Sequence, residues 1–123
     1  MFIKLFLYAN NKKEAKKISE QIMNPLKNYA KKIKFKRNKV YWKIKEIYVV
    51  EIKIIFNSKF NKNILNEFLY SISDDWVIFE DPIKQVIDGM LASNIKNNLC
   101  IFEKINMVNI FFDSEISKLL SKS

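Results

Sequence analysis

Residues 40–56, VYWKIKEIYVVEIKIIF, decide how this chain folds. Tyr48, Val50, Ile52, Ile54 and Phe56 fall on one side of an extended strand and are all apolar. The other side reads Ile47, Val49, Glu51, Lys53, Ile55, so one face is expected to be buried and the other partly wet. Upstream, Val40, Trp42 and Ile44 alternate with Tyr41, Lys43 and Lys45, the pattern of a second, shorter strand. Adjacent segments rich in Val, Ile, Tyr and Trp favour a sheet.

Before this pair, Phe2 to Tyr8 is apolar apart from Lys4, as in a central strand. Asn10 or Asn11 can cap a helix whose stripe runs Ala15, Ile18, Ile22, Leu26, Tyr29, Ala30, Ile33 at spacings of three and four. Asn24-Pro25 is expected to break or kink it. Residues 31–39, KKIKFKRNK, are either the end of that helix or a separate edge strand. The alternation of Ile33 and Phe35 with lysines favours the strand, since lysines protect an exposed sheet edge.

After the pair, Ile64, Leu65, Phe68, Leu69 and Ile72 give a helix, and Trp76 to Phe79 a short strand. Asp81-Pro82 predicts a third helix with Ile83, Val86, Ile87, Met90 and Leu91 as its stripe. Gly89, the one glycine, would then mark close helix packing. Leu99 to Phe102 and Met107 to Phe112 read as two more strands, and the tail from Ser114 as a short docking helix through Ile116, Leu119 and Leu120.

The order through residue 79 is strand, helix, two strands, helix, strand. This predicts an α+β single domain, 1–123, with a ferredoxin-like split βαβ sheet, a C-terminal helix and a two-strand extension.

A chain of 123 residues, 49% of them hydrophobic, can bury a core without staples. A single cysteine, Cys100, excludes an internal disulfide and suits a reducing compartment. Its neighbours Leu99, Ile101 and Phe102 suggest a buried thiol. No apolar run reaches the ~20 residues that cross a bilayer. MFIKLFLY is too short for a signal peptide, so a cytoplasmic protein is expected.

Histidine is absent, which removes the usual base of nucleophilic triads and the commonest metal ligand. One glycine excludes a glycine-rich phosphate cradle, and one cysteine excludes a cysteine-based zinc site. No cofactor and no metal are expected. Glu51-Ile52-Lys53 has the form of a nuclease metal motif, but no aspartate precedes Asp74, and a cross-face ion pair on a half-wet strand is the better account of it.

The net charge of +9 is unevenly placed. Residues 1–62 hold 17 basic and 4 acidic side chains, net +13, and residues 63–123 hold 5 and 9, net −4. Of the 22 basic residues only Arg37 is arginine, which weakens a case for bidentate phosphate recognition. Lys, Ile and Asn supply 54 of 123 residues, so part of the charge reflects an AT-rich coding bias.

Two constellations stand out. Asp74, Asp75, Glu80 and Asp81 bracket Trp76; they are helix punctuation, a protein-docking patch with an aromatic anchor, or carboxylates that would need to converge on a metal. Lys31, Lys32, Lys34, Lys36, Arg37, Lys39, Lys43 and Lys45 interleave with Phe35, Tyr41 and Trp42, a mixture able to form a groove for single-stranded RNA or DNA. The strand YVVEIKIIF lacks the glycine- and aromatic-rich signature of RNA-recognition motifs.

The element order, together with residues 74–89, DDWVIFEDPIKQVIDG, resembles the small immunity proteins that protect bacteria from contact-dependent growth inhibition and other polymorphic toxins. The resemblance implies a non-enzymatic cytoplasmic antidote that binds a cognate toxin C-terminal domain and blocks it, with Asp74, Asp75, Trp76, Glu80 and Asp81 as first contacts. Antidotes of nuclease toxins are often acidic, and this chain is basic. Either its acidic half makes the contact, or the toxin offers an acidic surface to the lysines. Nucleic-acid binding by the 31–45 surface is the alternative; no membrane partner is expected.

Overall fold

A computed structural model describes residues 1–83, 86–93 and 104–121. The elements are β1 (Phe2–Tyr8), α1 (Lys12–Met23), a 3₁₀ helix (Asn24–Tyr29), β2 (Ala30–Val40), β3 (Ile47–Phe56), α2 (Lys62–Ile72), β4 (Val77–Asp81), β5 (Val86–Ala92), β6 (Ile105–Phe111) and α3 (Ser114–Ser121). The fold is α+β: a six-stranded sheet in the order β2-β3-β1-β6-β5-β4, every neighbouring pair antiparallel.

The local chemistry explains most boundaries. Asn11 caps α1 by accepting from the Glu14 amide at 2.8 Å, and Asn61 caps α2 by accepting from Ile64 at 3.0 Å. Pro25 stops α1 at Met23, and the chain continues as a tighter 3₁₀ turn that buries Leu26. Asp113 caps α3, its Oδ1 accepting from Ile116 at 3.0 Å.

One core fills the space between the sheet and the helices. Ile3, Leu5 and Leu7 of β1, Val50, Ile52 and Ile54 of β3, and Val108 and Ile110 of β6 meet Ala15, Ile18 and Ile22 of α1. Leu65, Phe68, Leu69 and Ile72 of α2 and Ile116 of α3 join the same cluster. Helices α1, α2 and α3 therefore lie on one side of the sheet. Among the described residues the opposite side carries a small cluster, Phe6, Ile47 and Val49 with Tyr41 and Met107.

Three expectations are corrected. The shorter strand at 40–44 does not exist separately. β2 runs on to Val40, and residues 41–46 are the connection to β3, closed by the Tyr41 amide donating to Ile47 O at 2.7 Å. Its alternation has no second apolar face to meet, and Trp42 is 82% exposed.

The third helix is instead strand β5. Asp81 Oδ1 accepts from the Ile83 amide at 2.8 Å and closes a turn, not a helix cap. The register between β4 and β5 shifts beside Phe79 and Glu80, where one β5 residue, Asp88, is passed over. That bulge lets Ile87 and Met90 both reach the core, imitating a three-residue helical spacing. Gly89 also has its explanation here. A Cβ on it would stand 2.7 Å from the Ile110 carbonyl oxygen of β6.

The third correction concerns strand order. A ferredoxin-like sheet sets β4 beside β1; here β6 occupies that place and β4 lies at the far edge. β3 does lie between β1 and β2, as expected. The strand expected at Leu99 to Phe102, with Cys100, falls outside the described residues.

Candidate interaction surface

Because the helices share one side, the pleat places a defined set of side chains on the other. Residues opposite each other in the register share a face. One row runs across all six strands: Lys34, Lys53, Phe2, Phe111, Gly89, Phe79. The next row reads Arg37, Glu51, Lys4, Asn109, Leu91, Val77. A third begins Lys39, Val49, Phe6, Met107.

The open face is thus divided. Its β1–β3 half carries Lys4, Lys32, Lys34, Arg37, Lys39 and Lys53 against one acid, Glu51. Its β4–β6 half is largely apolar apart from Asn109, with Phe79, Val77 and Phe111 about half exposed.

In the cationic half, residues 41–46 fold over the sheet and make a wall. Tyr41 packs edge-on against Phe6, ring centroids 5.2 Å apart, and Trp42 stands beside Tyr41 at 6.1 Å. Lys43 lies 5.0 Å over the Trp42 ring. Between this wall and the strands is a cavity of about 240 Å³ lined by Lys4, Arg37, Lys39, Tyr41, Trp42 and Glu51, among others.

Arg37 Nε is 3.4 Å from Glu51 Oε2, so the carboxylate orients the guanidinium at the cavity wall. Farther along the face, Lys32 crowds Lys34. Its hydrogen-bonding contact, its charge and some desolvation hold the Lys34 ammonium below the ordinary lysine range.

The basic run is therefore brought together only in part. Lys32, Lys34, Arg37 and Lys39 share the open face. Lys31 and Lys36 sit at the two register shifts of β2, and Lys43 and Lys45 lie on the 41–46 wall. Phe35 pairs with Ile52 and faces the helix side, with Lys16 5.5 Å over its ring, so it does not join Tyr41 and Trp42 as a stacking platform.

Sequence reasoning missed Lys4, Lys53 and Glu51 as members of this surface. The signal was their register against β2, which only the pairing of β1, β2 and β3 supplies. Glu51 and Lys53 do share a face, but Glu51 pairs with Arg37.

The acidic constellation is divided by β4. Asp74 and Asp75 precede the strand and Glu80 and Asp81 end it, roughly 17–24 Å apart along an extended chain. They do not converge, and among the described residues no three His, Cys, Asp or Glu stand close enough to hold a metal. Trp76 is half-buried against the core, its indole N–H donating to Leu69 O at 3.0 Å and Ser73 O at 2.8 Å. It fastens the end of α2 to the start of β4.

No helix among the described residues is long and apolar enough to cross a membrane. The chain matches no protein-family model, and no curated protein or solved structure matches it.

Proposed function

We propose that this chain is a non-enzymatic binding protein that neutralises a bacterial toxin domain by covering an acidic surface of it with the open face of the sheet. The observation that supports the reading is the one-sided placement of the helices, which leaves a broad, pre-shaped face with six cations and one acid in its β1–β3 half. Six strands spaced about 4.8 Å apart and about seven residues long give a face on the order of 600 Å², near the roughly 800 Å² each partner contributes to a standard interface. Occlusion on that scale needs no catalytic group. The reading starts from the resemblance of the element order over β1, α1, β2, β3 and α2 to that of immunity proteins.

The test is co-expression with the C-terminal domain of any large secreted protein encoded directly upstream, scored by growth, followed by affinity measurement. Lys34→Glu with Lys39→Glu is expected to weaken the complex at least tenfold, about 1.4 kcal/mol. Asp74→Asn with Asp75→Asn is expected to leave it within twofold, since those acids precede β4, at the sheet edge farthest from the cations of β2. Full protection by the lysine variant would reject the open face as the contact.

The cavity walled by Tyr41 and Trp42 favours a second reading, single-stranded RNA or DNA tracking the same cations. A labelled oligouridylate should then bind at about 50 mM salt and lose affinity steeply by about 200 mM. Absence of binding at the lower salt removes this reading and leaves the first.

A further inference from the structure

The two edges of the sheet are finished differently. β2 carries lysines along its length, the usual protection against recruiting another strand. β4 has none. Val77, Ile78 and Phe79 are 54, 51 and 48% exposed although they project to both faces, and among the described residues β4 is paired on one side only, by β5. No lysine, arginine or proline occurs from Ile72 to Asp81. Exposed carboxylates stand at both ends instead, Asp75 before the strand and Glu80 within its last turn of pleat.

We propose that the β4 edge takes an extended, apolar segment of a partner protein, flanked by basic side chains about six positions apart, as a seventh strand of the sheet. Main-chain hydrogen bonds to the free edge would hold the segment. Its apolar side chains would cover Val77, Ile78 and Phe79, and its flanking cations would meet the carboxylates at either end. The distribution of charge selects this occupant over a second copy of the chain. Two-fold pairing of β4 with itself about Ile78 sets Asp75 against Asp81, and pairing about Phe79 sets Val77 against Asp81 and Ile78 against Glu80. Each register places a carboxylate against its like or against an apolar side chain. The site requires the edge alone, so it goes beyond the open-face reading and does not depend on the cations of β1–β3.

The experiment uses the full chain and three labelled nonapeptides. One alternates valine and threonine between lysine pairs, one has glutamates in place of the lysines, and one is the lysine peptide N-methylated at alternate backbone nitrogens. The lysine peptide is expected to bind at least tenfold more tightly than the glutamate peptide. It should slow amide exchange in β4, and N-methylation should abolish binding. Ile78→Lys should remove binding, whereas Lys34→Glu should leave it unchanged. Since a new edge lysine can itself affect folding, Asp75→Asn with Glu80→Gln provides a second variant, expected to erase the preference for lysine over glutamate. The proposal is overturned by equal binding of the glutamate or N-methylated peptide, by protection on β1–β3 in place of β4, or by no binding up to about 1 mM. Concentration-dependent self-association abolished by Ile78→Lys would overturn it in favour of a second copy.

Discussion

Arg37 and Glu51 face each other across the β2–β3 pairing, Nε to Oε2 at 3.4 Å, so the chain's one arginine is held by a carboxylate amid lysines. Arg37 is largely exposed and Glu51 only partly, so solvent screens the pair and holds its contribution to about 1 kcal/mol. Glu51→Gln should therefore shift the melting temperature little while making the face more cationic. Elution from a polyglutamate column should move to higher salt. An unchanged elution position would show that this carboxylate does not tune the surface.

Gly89→Ala tests the packing of the C-terminal half. The new methyl would sit 2.7 Å from the Ile110 carbonyl oxygen, a backbone atom that cannot swing aside. Overpacking of this sort costs about 1–3 kcal/mol, and chemical denaturation should show a lower midpoint of that size. Wild-type stability would mean that β5 and β6 separate more easily than their register implies.

Trp76→Phe keeps the ring's bulk and removes the donor shared by Leu69 O and Ser73 O. A loss of about 1–2 kcal/mol is expected in chemical denaturation. Wild-type stability would show that the two carbonyls are satisfied without the indole donor.

Asp113 gives the stability a pH dependence. Burial pushes its carboxyl up. Hydrogen bonds from the Ile116 amide and the Met1 ammonium, the ammonium's charge and the Glu115 amide outweigh burial, leaving it below its ordinary value of 3.8. A depressed folded-state pKa stabilises the fold above the unfolded value, and that contribution disappears as pH falls through the folded one. The carboxyl is more than half exposed, so the effect is modest. Melting temperatures of wild type and Asp113→Asn should differ at pH 6 and converge toward pH 2. A constant difference would place the contribution in the neutral hydrogen bonds.

The elements were legible wherever burial is one-sided. Val50, Ile52 and Ile54 lie buried on the face their alternation indicates, and Asn11, Asn61 and Pro25 set boundaries by local chemistry that needs no partner. Residues 82–91 misled because a β-bulge at Asp88 converts a two-residue period into something close to a helical one. Strand order was illegible for a different reason. β4 and β6 are both short and apolar, and nothing local records which of them will neighbour β1. The surface suffered likewise: composition reveals lysines in β2 but not that Lys4 and Lys53 stand in register with them.

The position of β6 also has a consequence in time. β1 emerges first and finds β3 soon after, yet its other edge stays bare until residues 105–111 have been synthesised. At about 5–20 residues per second, the 55 residues between Phe56 and Phe111 take roughly 3–11 s. Throughout that interval the backbone groups on that side of β1 lack the strand that pairs them in the finished sheet, the kind of open border on which wrong pairings form.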